Sequence, residues 1–231
     1  TIHYISELAK HSLEHISNIK IYDKKATMTL DYATISNLEI LTTIRNDNYK
    51  MTLFDTIDRT KTSMGARYLK RIIVEPLLNI NEINKRLDNV DFFYKNIKLT
   101  YKIRDILTDI GDIERLTSKL ALGRINPKEL VALKRFLILS LEAITELAIN
   151  DFEEANFEEV NDIKIIIDLI EIAILEDPKI TTNEGDIIKD EYNETLKKYN
   201  EAKRESRNWI SELEGNYKSE TGINSLKIRY N

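Results

Sequence analysis

Three groups of side chains in this 231-residue chain have types and spacings that chemistry could use. His11 and His15 lie four residues apart, which would place two metal ligands on one helix face, but Glu14 is not positioned as in an HExxH motif. The acidic pairs at 153–154 and 158–159 could exchange protons, but no histidine or nucleophile is near them in the sequence. We therefore interpret the histidines as surface or interface residues and the acidic pairs as solvated loop groups.

Nucleotide and nucleic-acid chemistry have little support in the chain. None of the six glycines belongs to the motif ending in Gly-Lys-Ser or Gly-Lys-Thr that forms a phosphate loop, which excludes ATP hydrolysis by that route. A basic cluster (Arg59, Lys61, Arg67, Lys70 and Arg71) could contact phosphates. The chain as a whole is acidic, with 34 Lys and Arg against 39 Asp and Glu, so we favour a solvated or inter-domain face. We predict no catalytic, cofactor-binding or metal-binding residue.

The composition favours long helices in a reducing compartment. Only six glycines and three prolines occur, so the backbone has few positions at which a helix must break. The chain has no cysteine, which excludes disulfides and thiolate metal sites. It also has no apolar run of about eighteen residues and no signal peptide at its start. We therefore expect a soluble, cytoplasmic, all-α protein that has no membrane partner.

Start and stop signals divide the chain into helices. The sequence predicts helices at 31–44 and 81–95, each capped by the first residue of its range. Residues 52–75 form two short helices, or one that bends at 63–65, and Pro76 ends them. Helical spacing of apolar residues also predicts helices at 5–16, 103–107, 113–120 and 160–175. Residues 19–22 are predicted to be extended.

The clearest local signal begins a helix at Asn126. Its side chain can cap the helix, Pro127 suits the first helical position, and Glu129 stands three residues after the cap. This helix runs to about Ile149 and is apolar over much of its circumference, which predicts burial against several neighbours. The helix at 81–95 has a single stripe that we expect to be buried: Ile83, Leu87, Val90 and either Phe93 or Tyr94.

A different kind of helix is predicted at 189–218. Its apolar positions alternate four and three residues apart, and Lys203 and Ser206 interrupt them. The apolar positions of this seam are Tyr192, Leu196, Tyr199, Ile210, Leu213 and Tyr217. So thin a stripe can pack one partner helix and leaves the rest of a long rod in water. Gly222 would end the rod, and residues 225–230 alternate like the start of a strand.

Four stretches of the chain resemble the MutS family of DNA mismatch-repair ATPases. Residues 28–39 are similar to the opening of the family's core domain. Residues 53–69, which include Asp58-Arg59-Thr60-Lys61-Thr62-Ser63-Met64-Gly65-Ala66-Arg67-Tyr68-Leu69, resemble its most recognisable signature. Residues 113–133 continue the match, and 213–231 are similar to the junction of lever and clamp. The signature residues, which we expect to be structural or to contact other domains, are Asn37, Glu39, Arg59, Thr60, Thr62, Gly65, Arg67, Glu114, Arg115, Asn126 and Pro127.

The resemblance implies a division of the chain into parts of a larger protein. Residues 1–22 would end the connector domain, 23–185 would form the helical core, 186–224 the ascending lever helix, and 225–231 the start of a clamp strand. The mismatch-binding, clamp and ATPase domains would lie elsewhere in the parent protein. The chain by itself would then not be an enzyme.

The role that the resemblance implies is allosteric: core and lever would couple the nucleotide state of the ATPase domain to the DNA state at the clamp. The parent would be a homodimer that uses ATP and magnesium, binds mismatched double-stranded DNA and works with the partner protein MutL. The alternative is a self-contained helical interaction module that oligomerises through the seam of its long arm. We also expect Gly65 to allow a close helix approach.

Overall fold

The computed structural model describes residues 27–44, 50–155, 158–181, 185–223, 225 and 227. Within these ranges the secondary structure is helical apart from two isolated antiparallel bridges, so the all-α prediction is confirmed. The α-helices are α1 (Tyr32–Asn37), α2 (Leu53–Ile57), α3 (Ser63–Val74), α4 (Ile80–Lys95), α5 (Ile97–Thr108), α6 (Ile113–Ala121), α7 (Pro127–Ile149), α8 (Val160–Ala173) and α9 (Glu194–Thr221). One-turn 3-10 helices lie at Glu153–Ala155 and Asp190–Tyr192. The elements predicted at 5–16 and 19–22 lie outside the described residues, as does most of the strand predicted at 225–230.

Side-chain caps begin most of these helices. Asp31 accepts a backbone N–H at 2.7 Å and begins α1, as predicted. Asn126 and Glu129 form the complete capping box at α7: the Glu129 N–H donates to Asn126 at 2.9 Å, and the Asn126 N–H donates to Glu129 at 3.1 Å. The cap predicted at Asn81 is wrong. Asn79 begins α4 and accepts the Asn81 N–H at 2.9 Å, because the side chain two residues earlier reaches the same free donor.

The first helix is shorter than the predicted span of 31–44. Glu39 has a φ of 49°, and its N–H donates to the Ser36 carbonyl at 3.0 Å. The N–H of the buried Ile40 donates to the Ile35 carbonyl at 3.1 Å. These two bonds close the helix in a Schellman motif, which uses the left-handed conformation at the residue after the C-cap. A glutamate therefore stops α1 where the sequence shows neither glycine nor proline.

The core lies around α7. Leu99 and Ile103 of α5 pack with Ala143 of α7 in one buried cluster. Leu133, also on α7, is 1% exposed. Helices α5, α6 and α8 all pack on α7, so the predicted burial against several neighbours is confirmed.

The stripe predicted to be buried on α4 mostly faces solvent, and that prediction is wrong. Its exposed members are Leu87, Val90 and Tyr94. Phe92 packs against the α5–α7 cluster, and the rings of Phe92 and Phe93 lie 5.0 and 5.2 Å from that of Phe152. The inward face of α4 is therefore the one with Phe92, which contacts the cluster formed by α5 and α7. The spacing of apolar residues along α4 did not identify this face.

An antiparallel bridge lies between α8 and the last helix. Helix α8 ends at Ala173, earlier than the predicted residue 175, because Ile174 is extended and forms an antiparallel bridge with Ile188. The N–H of Lys189 donates to the Ala173 carbonyl at 2.9 Å. The long helix then begins at Glu194, later than predicted.

Helix α9 is a continuous helix of 28 residues. Its length is about 42 Å at 1.5 Å per residue. Asn193 caps its start, and Gly222, with a φ of 68°, ends it as predicted. Tyr192 lies in the preceding 3-10 turn, so it does not belong to the helical seam. No side chain described for α9 is buried.

Candidate functional site

Two of the signature residues meet in an ion-pair network between α3 and α6. Arg67 donates from Nη1 and Nη2 to the two carboxylate oxygens of Asp112, both at 2.8 Å. Its Nε and Nη2 also donate to Glu114 Oε2 at 3.0 and 2.5 Å. Because the guanidinium donors form a rigid fork, they hold both carboxylates in one orientation. We call these three residues the Arg67 node, which joins stretches of chain 45 residues apart.

Asp112 has the most partners in the Arg67 node, although the sequence analysis did not single it out. It accepts the Arg115 N–H at 3.1 Å and so caps α6. Hydrogen bonding from Arg67 holds the pKa of Asp112 well below its usual range, and the Ser63 side chain acts in the same direction. The same pairing raises the pKa of Arg67. An acidic residue directly before the helical stretch 113–116 is the capping signal that would have identified it.

A tight loop before α3 contains three further signature residues. Asp58 Oδ1 accepts from the N–H and the hydroxyl of Thr60 at 2.9 and 2.7 Å. Thr62 caps α3 by accepting the N–H three residues later at 3.0 Å. The Arg59 carbonyl accepts from Nη2 of Arg104, on α5, at 3.0 Å. The loop therefore begins α3 and ties its start to α5.

The groups nearest to Gly65 belong to its own capping loop and not to a neighbouring helix of the described residues. A Cβ at this position would lie 3.1 Å from the Thr62 hydroxyl and 3.4 Å from the Thr60 Cβ, within its own capping loop. The close approach to a helix occurs instead at Gly111, where a Cβ would lie 2.4 Å from the Phe136 ring of α7. The missing side chain lets the turn between α5 and α6 pack on α7.

The capping box of α7 adds a third connection. Lys119, near the end of α6, pairs with Glu129. This pairing, together with the N–H of Asn126, lowers the pKa of Glu129, and the charge of Arg115 acts in the same direction. Pro127 is buried at the first helical position. Helix α6 is consequently tied to α3 at its start and to α7 at its end.

The two earliest signature residues belong to a different turn. Asn37 is the exposed last residue of α1. Glu39 accepts the Ile44 N–H on its side chain at 2.9 Å and the Leu53 N–H on its carbonyl at 3.2 Å. Glu39 therefore shapes the return of the chain toward α2.

The basic cluster is mostly engaged with the protein's own groups. Arg67 is held in its node, and the Lys70 ammonium lies 4.8 Å from the centroid of the Phe54 ring. The Arg71 guanidinium lies 5.2 Å from the ring centroid of Tyr68. These contacts occupy cations that a phosphate-binding patch would need, and they favour a structural role.

The groups considered for acid/base or metal chemistry do not form such a site in the described parts of the chain. Glu154 is not simply solvated: Asn89 donates to it at 2.9 Å and Lys85 pairs with it at 3.1 Å, which lowers its pKa. A carboxyl group that is ionised at neutral pH is a poor proton donor. His11 and His15 lie outside the described residues, and among those described no three acidic or histidine groups could hold a metal ion. None of the described helices is both long and apolar enough to cross a membrane.

Charged groups form a series of ion pairs around the segment before α9. We call them the foot: Lys134, Glu171, Lys189, Asp190 and Arg204. On one side, Glu171 of α8 pairs with Lys134 of α7 and with Lys189 at 3.5 Å. On the other, Asp190 pairs with Arg204 at 2.9 Å. The Lys134 side chain is 14% exposed, so most of its surface is out of water beside Glu171. The foot therefore links the long helix to the core helices through the segment just before it, which contains Lys189 and Asp190.

The model of MutS domain III matches residues 33–222. The chain belongs to the MutS family. It is 41% identical over 233 residues to the DNA mismatch repair protein MutS of Alkaliphilus oremlandii, a match that covers 100% of this chain and 26% of that protein. The MutS protein of Caldanaerobacter subterraneus subsp. tengcongensis is 37% identical over 234 residues, with 99% and 26% covered. That of Bacillus subtilis is 32% identical over 230 residues, with 99% and 27% covered.

The chain spans about a quarter of the length of the MutS proteins it matches. The MutS domain III match contains the Arg67 node, the capping box of α7, the foot and the whole of α9. The family resemblance inferred from the signature stretches is therefore confirmed. The domain boundaries inferred from it stay predictions.

Proposed function

We propose that this chain is the core and ascending lever of a MutS-family mismatch-repair protein and couples the nucleotide state of an ATPase domain to the clamping of DNA. A continuous series of contacts supports the proposal. The Arg67 node ties α3 to α6, α6 is tied to α7, and α7 packs against α8. Close-packed elements change between discrete arrangements and do not deform continuously, so such a series can transmit a displacement.

The foot is the observation that carries this proposal. It connects a helix of 28 residues to the core through the preceding segment, in which Lys189 pairs with Glu171 of α8 and Asp190 pairs with Arg204 of α9. A rotation of the core by about five degrees would move the far end of a rod about 42 Å long by about 4 Å. A lever of this kind has to be held firmly at its base.

The proposal assigns the chemistry to the remainder of the parent protein. ATP and magnesium would bind at its ATPase domain, since this chain has no phosphate-loop motif. The partners of the parent would be mismatched double-stranded DNA, a second parent subunit and MutL. Its location would be the cytoplasm, which holds the bacterial chromosome. The division into connector (1–22), core (23–185), lever (186–224) and clamp strand (225–231) belongs to the same proposal.

The test is Glu171→Ala in a full-length MutS protein that contains this chain. Removal of Glu171 leaves Lys134 and Lys189 without their shared carboxylate. We expect the factor by which ATP changes affinity for mismatched DNA to fall about fivefold or more, since allosteric couplings are of that order. The affinity for mismatched DNA without nucleotide should stay unchanged. The affinity for ATP without DNA should also stay unchanged. These binding constants can be measured by fluorescence anisotropy.

The matched control is Asp168→Ala, which removes another exposed acidic residue from α8. It should leave the effect of ATP at the wild-type value. A Glu171→Ala protein with wild-type coupling would contradict the proposed role of the foot, as would equal losses in the two variants.

A further inference from the structure

The chain turns back onto α4 directly after α7. The Asp151 N–H donates to the Ala148 carbonyl at 3.1 Å, and the Phe152 N–H donates to the Leu147 carbonyl at 3.0 Å. These bonds, with a φ of 60° at Asp151, end α7 in a Schellman motif. The 3-10 turn Glu153–Ala155 follows. We infer that residues 151–155 are a clasp that fixes α4 to α7, and that α4 can swing about its C-terminal end when the clasp opens.

The apolar part of the clasp is Phe152. Its ring centroid lies 5.0 Å from that of Phe92 and 5.2 Å from that of Phe93, and the Phe92 and Phe93 rings lie 5.4 Å apart, edge to face. Aromatic rings at such distances attract each other beyond the effect of burial alone. Phe92 also packs against the buried cluster of α5 and α7. Phe152 therefore attaches the C-terminal half of α4 to the core.

The polar part of the clasp is Glu154. It accepts a hydrogen bond from Nδ2 of Asn89 at 2.9 Å and pairs with the Lys85 ammonium at 3.1 Å. Lys85, Asn89 and Phe93 follow one another at intervals of four residues, so they share one face of α4. The clasp thus follows that face for about 12 Å, at 1.5 Å per residue.

The end of α4 is built as a joint. Asn96 is both the C-cap of α4 and the N-cap of α5, so a single residue separates the two helices. Its φ of −106° and ψ of 59° are not helical. A few residues at the end of an element are enough to absorb the rotation of a hinge. With the clasp open, α4 would keep this joint and its packing on α5, whereas the closed clasp adds a second attachment, to α7.

This device goes beyond the proposed coupling role and does not rest on it. A displacement of α7 carries α4 along only while the clasp is closed. The clasp shares no residue with the foot, so either inference can fail without the other.

Native-state hydrogen exchange on the 231-residue chain tests the clasp. Phe152→Ala removes the ring and should lower the protection of amides within α4 at least about tenfold, while protection in α8 falls less than about threefold, because a local opening exposes only the released element. Glu154→Gln removes the charge. The Lys85 and Glu154 side chains are 63% and 40% exposed, so solvent screens their pairing, and we expect a loss of protection in α4 of about twofold to fivefold.

Glu158→Gln is the matched control for Glu154→Gln. It makes the same change at an exposed position outside the clasp and should leave the protection of α4 at the wild-type value. Circular dichroism checks that each variant keeps the helicity of the wild type. Should Phe152→Ala fail to fold, the comparison of Glu154→Gln with Glu158→Gln decides the matter.

Two results would overturn the inference. Equal losses of protection in α4 and α8 of Phe152→Ala would show that Phe152 stabilises the fold as a whole and fixes no separate element. Equal protection of α4 in Glu154→Gln and Glu158→Gln would show that the contacts of Glu154 do not hold the helix.

Discussion

Replacement of Asp112 by alanine should weaken the connection between α3 and α6 at two points. The variant loses both hydrogen bonds from Arg67 and the cap on the Arg115 N–H. Asp112→Asn separates these contributions, because the amide oxygen can still cap the helix while the charge is lost. Asp105→Asn makes the same acid-to-amide change at an exposed position of α5 and serves as the control.

The structure sets the expected magnitude. Loss of an N-cap costs about 1 kcal/mol. The Asp112 side chain is 23% exposed but those of Arg67 and Glu114 are 48% and 63% exposed, so solvent screens the pairing. We therefore expect the charge of Asp112 to contribute at most about 1 kcal/mol to the free energy of unfolding. Asp112→Ala should lower the free energy of unfolding by about 2 kcal/mol and Asp112→Asn by about half of that. The loss for alanine corresponds to a fall in Tm of about 4–8 °C.

The lowered pKa of Asp112 sets the pH dependence of this effect. The folded protein binds the proton more weakly than the unfolded chain does. The stabilisation is therefore complete above the unfolded pKa of about 3.9 and is lost as pH falls through the lower folded pKa. Thermal unfolding followed by circular dichroism should show a higher Tm for the wild type than for Asp112→Asn at pH 7. This difference in Tm should become smaller below about pH 4. A wild-type Tm for Asp112→Ala, or a gap that widens in acid, would refute this reasoning.

Three other predictions concern the fold and the chemistry. Gly111→Ala should lower the free energy of unfolding by about 1–3 kcal/mol, because its Cβ would meet the Phe136 ring. Gly215→Ala lies in open space on α9 and should raise the free energy of unfolding by about 0.5–1 kcal/mol. Urea unfolding of both variants compares them directly. Gly65→Leu should displace the Thr62 cap and lower Tm, with a loss of about 1–2 kcal/mol, and an unchanged melting curve would contradict that. The isolated chain should neither hydrolyse ATP nor bind mismatched DNA selectively, and submicromolar mismatch-selective binding at physiological salt would disprove this.

Local signals were sufficient to place several helix boundaries. The capping box at Asn126, the cap at Asp31 and the stop at Gly222 all depend on groups within a few residues of one another. Their geometry is therefore encoded in adjacent sequence. Glu39 shows where local reasoning failed. A glutamate seldom adopts a positive φ, and here the turn also uses a hydrogen bond from Leu53, which is distant in sequence.

The sequence by itself determined the family, the helical class and the start of α7, because composition, motif order and neighbouring side chains carry that information. Tertiary structure alone decided which apolar faces are covered. On α4 it exposes Leu87 and partly covers Phe92, and on α8 it leaves Ile165 and Leu169 exposed. Burial depends on where a neighbouring helix lies, and periodicity marks an apolar face without naming what packs on it. The pairing of Asp112 with Arg67, 45 residues away, likewise depends on tertiary structure, whereas its cap on α6 is a local signal.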